Sequence, residues 1–358
     1  MVTVGPRANL DGKQPSLHYS GLNAMTVTGS SVAVLNAAVV NAATLQSYSR
    51  KALTQSGVLL LIFSASATFA GEHSSAPAYG TAAEVMRKVV QNEIRAASDA
   101  GTRITFRGIK TTPKGSATNL YVETRQATAG EAVAYNGQPL SAEQRSAEEA
   151  RIERFINNPA ELKKKCEQDH ETAERTLRIM RALPEALLFE YGGEEHGSET
   201  VGRAGVRLLK LTFRPKPGYE PPSHLEEVLT GLQGFVLVDP LQMRLASIDG
   251  TLFKDVAFGW GVLGHLNRGG RFVVQQQNVS DALWQVSSVT YIFTGKMLMV
   301  KTFNVNSTEI FSDFQSIPAE LSLVQALELM KHQGSLLAAN SVASNLAPKE
   351  ILLQSKKR

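Results

Sequence analysis

The chain has 358 residues, 43% of them hydrophobic and 20% charged; this is ordinary globular composition, enough for one large or two medium domains, and it excludes wholesale disorder. The net charge is +4, and the basic residues are dispersed among acids outside Lys163-Lys164-Lys165 and Lys356-Lys357-Arg358, unlike the one-sided footprint of a nucleic-acid binder. The single cysteine, Cys166, excludes an intramolecular disulfide and a cysteine-built zinc or iron–sulfur site.

Residues 50–70, RKALTQSGVLLLIFSASATFA, have the pattern of a secretory signal peptide. Arg50 and Lys51 form the positive end, Val58 to Phe63 an unbroken apolar run, and Thr68-Phe69-Ala70 a small-residue cleavage site after Ala70. The apolar run is shorter than the roughly 20 residues of a membrane-spanning helix. Because such leaders start a chain, residues 1–49 are expected to be a disordered or mis-assigned upstream extension. Residues 71–80, rich in Ser, Ala, Pro and Gly, read as a linker.

A helix is predicted next, opened by the capping box Thr81-x-x-Glu84, with Val85, Val89, Val90 and Ile94 on one face. RITFRGI (103–109) and NLYVETRQ (119–126) alternate apolar and polar residues, as strands of an antiparallel sheet with one wet face do. A charged helical insertion follows over 141–183. Its first helix is capped by Ser141-x-x-Gln144. A second starts at Asn158-Pro159 with Glu161 at N3 and ends near Arg181, before Pro184. Few apolar positions interrupt these helices, so they are expected on the surface, as an insertion or lid.

From residue 186 onward the chain reads as a strand ladder: 186–191, 206–213, 234–239, 244–250, 251–258, 271–279, 284–293 and 296–305. Turn signals separate most of them, among them GGEEHG, Asp239-Pro240 and Thr294-Gly295, and a short helix is predicted over 223–232. A last helix begins at Pro318 with the box Ser322-x-x-Gln325, and a basic tail occupies 344–358. The predicted fold class is α+β: a curved antiparallel sheet, half-barrel or open barrel, with packing helices and the helical insertion, in a single domain over 81–343.

Motifs that could carry chemistry are few. Gly259-x-Gly261-x-x-Gly264 spells a dinucleotide fingerprint, but only four residues separate it from Gly269-Gly270. That leaves no room for the helix whose N-terminus receives a pyrophosphate; the glycines fit a sharp bend or bulge in a strand, with Asn267 to Gly270 as a hairpin turn. The segment Glu190 to Glu199 holds four glutamates and His196 and reads as a solvated hairpin tip before it reads as a cation site. Cys166 lies in a charged helix where Lys165 and His170 are expected to lower its pKa, without a catalytic constellation around it. No cofactor or metal is expected.

The ladder does carry many large apolar groups. Phe235, Leu237, Phe253, Phe258, Trp260, Phe272, Trp284, Tyr291, Phe293, Met297 and Met299 are the candidate lining of an apolar cavity. In a closed small barrel the same groups are core. The runs GLQGFVLVDPLQMRLASIDGTLF and FGWGVLGHLNRGGRFVVQQQNVSDALWQVSSVTYIFTGKMLM resemble a family of exported bacterial proteins of uncharacterised function. More distantly, they are similar to the superfamily of outer-membrane lipoprotein carriers and lipoprotein-sorting proteins. The resemblance spans about residues 80–335, with its cue in 230–305. It implies a half-barrel of antiparallel strands, closed by helices and able to hold acyl chains; the insertion 141–183 departs from that pattern.

The expected function is non-catalytic binding or carriage of a lipid or lipoprotein acyl chain by an exported protein, periplasmic or extracellular, with peripheral membrane contact and no nucleic-acid partner. The alternatives are an envelope interaction module with a fully packed core and, third, a hydrolase. Mass spectrometry of exported material is expected to find Gly71 as the first residue; a peptide from residues 1–49 in mature protein would contradict the leader.

Overall fold

The computed structural model describes residues 79–98, 103–258, 263–280, 283–297, 301–318 and 320–331; the leader, Trp260, Met299 and the basic tail lie outside the described residues. Helix α1 (Ala82–Ser98) is followed by β1 (Arg103–Thr112), β2 (Gly115–Glu123), β3 (Thr128–Tyr135) and β4 (Gln138–Pro139). Helices α2 (Ala142–Ile156) and α3 (Pro159–Ala186) precede β5 (Leu187–His196), β6 (Arg207–Pro215), β7 (Leu232–Asp239), β8 (Arg244–Leu252) and β9 (Val256–Phe258). The sheet then continues with β10 (Gly264–Leu266), β11 (Arg271–Ser280), β12 (Leu283–Met297) and β13 (Lys301–Ile317), and α4 covers 323–331.

All thirteen strands join one curved, open, antiparallel sheet in the order β4-β3-β2-β1-β13-β12-β11-β8-β7-β6-β5, with the β9–β10 hairpin attached to β12. The fold class is therefore the one predicted. Neighbours in the order are mostly neighbours in sequence. The exceptions are β8 beside β11 and β1 beside β13; the latter pairs Arg103 with Ile317 and Thr111 with Thr308. A bulge in this pairing, at Arg107, is absorbed by Asp313, which has positive φ and accepts a 2.7 Å hydrogen bond from Arg107 Nε.

The inner face carries the main core. Val85, Met86, Val89 and Val90 of α1, together with Ile179, Met180 and Leu183 of α3, pack against Leu187, Phe189, Leu209, Leu211, Val236, Ile248, Phe272 and Phe293. The capping box that starts α1 forms as predicted, with Thr81 N donating to Glu84 Oε2 and Glu84 N to Thr81 Oγ1. Buried Glu93 pins the helix to the sheet, accepting from Arg244 Nε at 2.8 Å and from the Leu245 amide at 2.8 Å. On the opposite face, Leu323, Ala326, Leu327 and Met330 of α4 cover Val122 and Ala129.

Helix α3 runs one turn past its predicted end, with Pro184 inside it. The continuation buries Leu183 and Ala186 in the core, which outweighs one hydrogen bond lost at the proline. Nor does the helix lie wholly on the surface. Its first half reaches the second cluster through Leu162 and Cys166, and buried Asp169 pairs with Lys165 at 2.6 Å while accepting from the Thr128 amide. Burial pushes the Cys166 thiol pKa up and Asp169 adds to the effect; Lys165 lowers it but is outweighed, so the net direction is the reverse of the expected lowering.

Three strand readings also change. The predicted strand 251–258 breaks at Phe253, whose amide donates to Gly231 O, and only Val256–Phe258 resumes pairing. The predicted strand 296–305 is a hairpin, with Met297 opposite Lys301. Thr294-Gly295 lies inside β12 instead of forming the turn, because a Cβ at Gly295 would meet His265 O and the Phe303 ring: the glycine serves close approach. The Glu190 to Glu199 segment is no hairpin tip at its start. It continues as β5 through His196, with Glu190, Glu194 and Glu195 in ion pairs to Arg214, Arg207 and Lys210. The predicted helix 223–232 is a 3-10 turn, Glu226–Gly231. β3, β4 and the second half of β13 have no counterpart in the predicted ladder.

Between β3, α2 and α4 sits buried Glu131, with Oε2 lacking a hydrogen-bond partner. Burial, then the charges of Glu148 and Glu149, raise its pKa from 4.5 to about 7, against Arg151 and Lys331. A carboxyl whose folded pKa is raised stabilises the fold below its unfolded value and loses that contribution as pH rises through the folded one. Glu131→Gln is thus expected to equal wild type in thermal stability at pH 4 and to exceed it at pH 8, by up to about 3 kcal/mol; equal stability at both pH values would contradict this.

Candidate functional site

Inward positions of a strand recur every second residue. In β1 they are Ile104, Phe106, Gly108 and Lys110; in β13 they are Phe303, Val305, Ser307, Glu309 and Phe311. Two of these are charged. The register sets Lys110 directly opposite Glu309, and their side chains meet at 2.7 Å with Glu309 almost fully buried. A buried ion pair is weak evidence for stability, since desolvation consumes much of the attraction, yet removing one partner is costly. Its place between the inward rows of β1 and β13, beside half-buried apolar groups, marks this as the candidate site.

Neutral polar groups surround the pair. Tyr291 stands opposite Ser307 across β12 and β13, and both are buried. Ser307 Oγ has no hydrogen-bond partner, an exception among buried polar atoms. On β2 the Tyr121 hydroxyl accepts from Asn119 Nδ2 at 3.2 Å. Burial first, and the Glu309 charge second, raise the pKa of both Tyr121 and Tyr291, so both phenols stay protonated. The Tyr121 ring lies in a slot made by two glycines: a Cβ at Gly108 would come within 2.6 Å of it and one at Gly130 within 2.7 Å.

The flanks are aromatic. Phe106 stacks on Tyr121 at 5.1 Å, meets Phe311 edge-on at 5.8 Å and stacks on Phe314 at 5.9 Å. The inward side chains of β5 to β8 are covered by α1 and α3, whereas Tyr121, Phe303, Val305 and Phe314 are only half-buried. The inner face is thus packed on one side and half open on the other, with the ion pair at the boundary.

The residues expected to line one cavity separate into several environments. Phe258, Phe272, Tyr291 and Phe293 belong to the inner core, each 6% exposed or less. Leu237 and Trp284 are buried on the outer face with Leu208 and Ala246; Trp284 Nε1 donates to Gln242 Oε1, and Arg244 lies over its ring. Phe235 borders an open outer groove of about 580 Å³, with Arg214, Asp249 and Arg271 among its other borders. Phe253 is exposed beside Lys254. Met297 is half-buried at the β12–β13 hairpin, and Trp260 and Met299 lie outside the described residues. Gly264 begins β10, whose next element is the strand β11, so the strand–glycine–helix unit of a dinucleotide site is not formed. Among the described residues no helix is long and apolar enough to cross a membrane, and no three metal-ligating side chains converge.

No family model matches the chain, and no curated protein matches it. Among solved structures it is similar to a DUF1329 family protein from Desulfovibrio piger, at 10% identity over 68% of this chain and 95% of that one, with a TM-score of 0.24. The likeness is loose, and the functional reading rests on the geometry of the inner face.

Gly108→Ala is expected to push the Tyr121 ring off its slot and to cost about 1–3 kcal/mol in urea unfolding, as overpacking does. Unchanged stability would show that the slot is not tight.

Proposed function

We propose that this protein is a non-catalytic binder of amphiphilic lipid at the cell envelope, exported by the leader at 50–70, and that the acyl chain lies on the half-open inner face along β13 and β2. The observation that carries the reading is the incomplete cover of that face. Tyr121, Phe303, Val305 and Phe314 present half-buried apolar surface next to a buried ion pair and an unpartnered hydroxyl. A chain with a polar group matches both parts.

Magnitudes make the polar part matter. Burying ten methylenes gains about 8 kcal/mol, and association costs at least roughly 4 kcal/mol in lost freedom. The remainder, about 4 kcal/mol, corresponds to a Kd near 1 mM. Useful affinity therefore needs a longer chain or specific hydrogen bonds. The ion pair and Ser307 are placed to supply the second.

A second reading, an envelope interaction module without a ligand, draws on the tight packing of Phe258, Phe272, Tyr291 and Phe293. Native mass spectrometry of protein purified from its own envelope separates the two. The lipid reading expects a co-purifying lipid mass on wild type that is lost from Val305→Asp with the fold intact by circular dichroism. Lipid-free wild type that also fails to take up a fluorescent acyl probe would leave the interaction module.

A further inference from the structure

We infer that the inner-face site selects amphiphiles whose polar group is uncharged, such as an ester, an amide or a hydroxyl, over those ending in a free carboxylate. The inference rests on the lipid-binding reading and adds the class of ligand to it.

Three observations carry it. First, Lys110 and Glu309 stand opposite each other and are already paired at 2.7 Å, so together they offer the inner face no net charge. Second, Glu309 is the more deeply buried of the two: its side chain is 5% exposed and that of Lys110 22%. An incoming carboxylate would lose its water beside a pair with no net positive charge to replace it, a desolvation cost that an ester, amide or hydroxyl carries only in small part. Third, Ser307 Oγ, two residues along the same inward row, is buried without a hydrogen-bond partner. A hydroxyl both donates and accepts, so it can give its proton to an ester or amide carbonyl or take one from an amide N–H. Neither bond needs a charged ligand. The neighbouring phenols of Tyr121 and Tyr291, with raised pKa values, add no negative charge either.

One other cation lies on this strand. Lys301 opens β13 at its exposed end, six residues from Ser307, which is about 20 Å along an extended strand. That distance exceeds the roughly 8 Å screening length of physiological salt. It therefore does not neutralise a carboxylate held at Ser307 and Glu309, although it faces water and can attract anions to the surface.

The test is a calorimetric titration of the full protein at pH 8 with two ligands of equal chain length, 1-monolauroylglycerol and laurate, below their micelle concentrations. The wild type is expected to bind the monoacylglycerol tighter by at least about tenfold, a factor equivalent to about 1.4 kcal/mol of uncompensated carboxylate desolvation. Glu309→Gln keeps the shape, leaves Lys110 unneutralised and should close or invert that ratio in favour of laurate. Ser307→Ala, a milder change, should weaken the monoacylglycerol several-fold and leave laurate unchanged. Lys301→Gln should leave the ratio as in wild type. Equal or tighter binding of laurate by the wild type overturns the inference while leaving lipid binding standing, as does an unchanged ratio in both folded Glu309→Gln and Ser307→Ala. Absence of binding by either ligand removes the lipid reading and the inference together.

Discussion

The pairing of β1 with β13 is the constraint on which the rest of the arrangement depends. It joins strands about two hundred residues apart and splices two antiparallel ladders, β4 to β1 and β13 to β5, into one sheet. Loop closure over such a span is entropically costly, so the register must be fixed by strong local features. The bulge at Arg107, with Asp313 in a left-handed conformation and hydrogen-bonded to that arginine, is one. The Lys110–Glu309 contact, directly in register, is another. A slip of either strand by one residue would set Lys110 and Glu309 on opposite faces and turn that strand's aromatic, Phe106 or Phe311, off the core face.

The same pairing also decides what the inner face can do. Cover comes from α1 and α3, which pack on β5 to β8 and on α1's own anchor at Arg244. At the β13 and β2 side, half-buried aromatics remain. Placing an ion pair at this boundary raises the cost of any purely apolar occupant and gives a polar one something to meet. On the proposed reading, apolar burial sets the place of the ligand, and the charged pair and the orphan hydroxyl its chemistry.

Much of this fold was legible in the sequence because its signals are local. The capping boxes at Thr81 and Ser141 form as the spacing requires, and the segments read as strands over 103–109 and 234–239 lie in β1 and β7. In the glycine-rich 259–270 segment the described part forms β10 and leads into β11. What failed were readings that assigned one meaning to a residue type. Gly295 was taken as a turn, but it is needed where His265 O and Phe303 approach a strand. Pro184 was taken as a helix end, but core contacts of the next turn carry the helix past it. Large apolar groups collected without regard to face mix Trp284 of the outer side with Phe272 of the inner one. Sorting 103–112 and 301–317 by parity places Lys110 and Glu309 in the same rows as Ile104, Phe106, Phe303, Val305 and Phe311, and only their mutual contact needs the long-range register.

The central claim is that an acyl chain lies along the inner face of β13 beside the Lys110–Glu309 pair. A crystal structure of the protein with a terminally brominated monoacylglycerol tests it most directly, through the anomalous signal of bromine. The account predicts a bromine peak on the inner face, beside Phe303 and Val305 on one side of the pair or beside Tyr121 and Phe314 on the other, and the glycerol ester within hydrogen-bonding distance of Ser307 or Lys110. A peak in the outer groove beside Phe235, or an inner face closed by the protein's own side chains with no bromine bound, would contradict it.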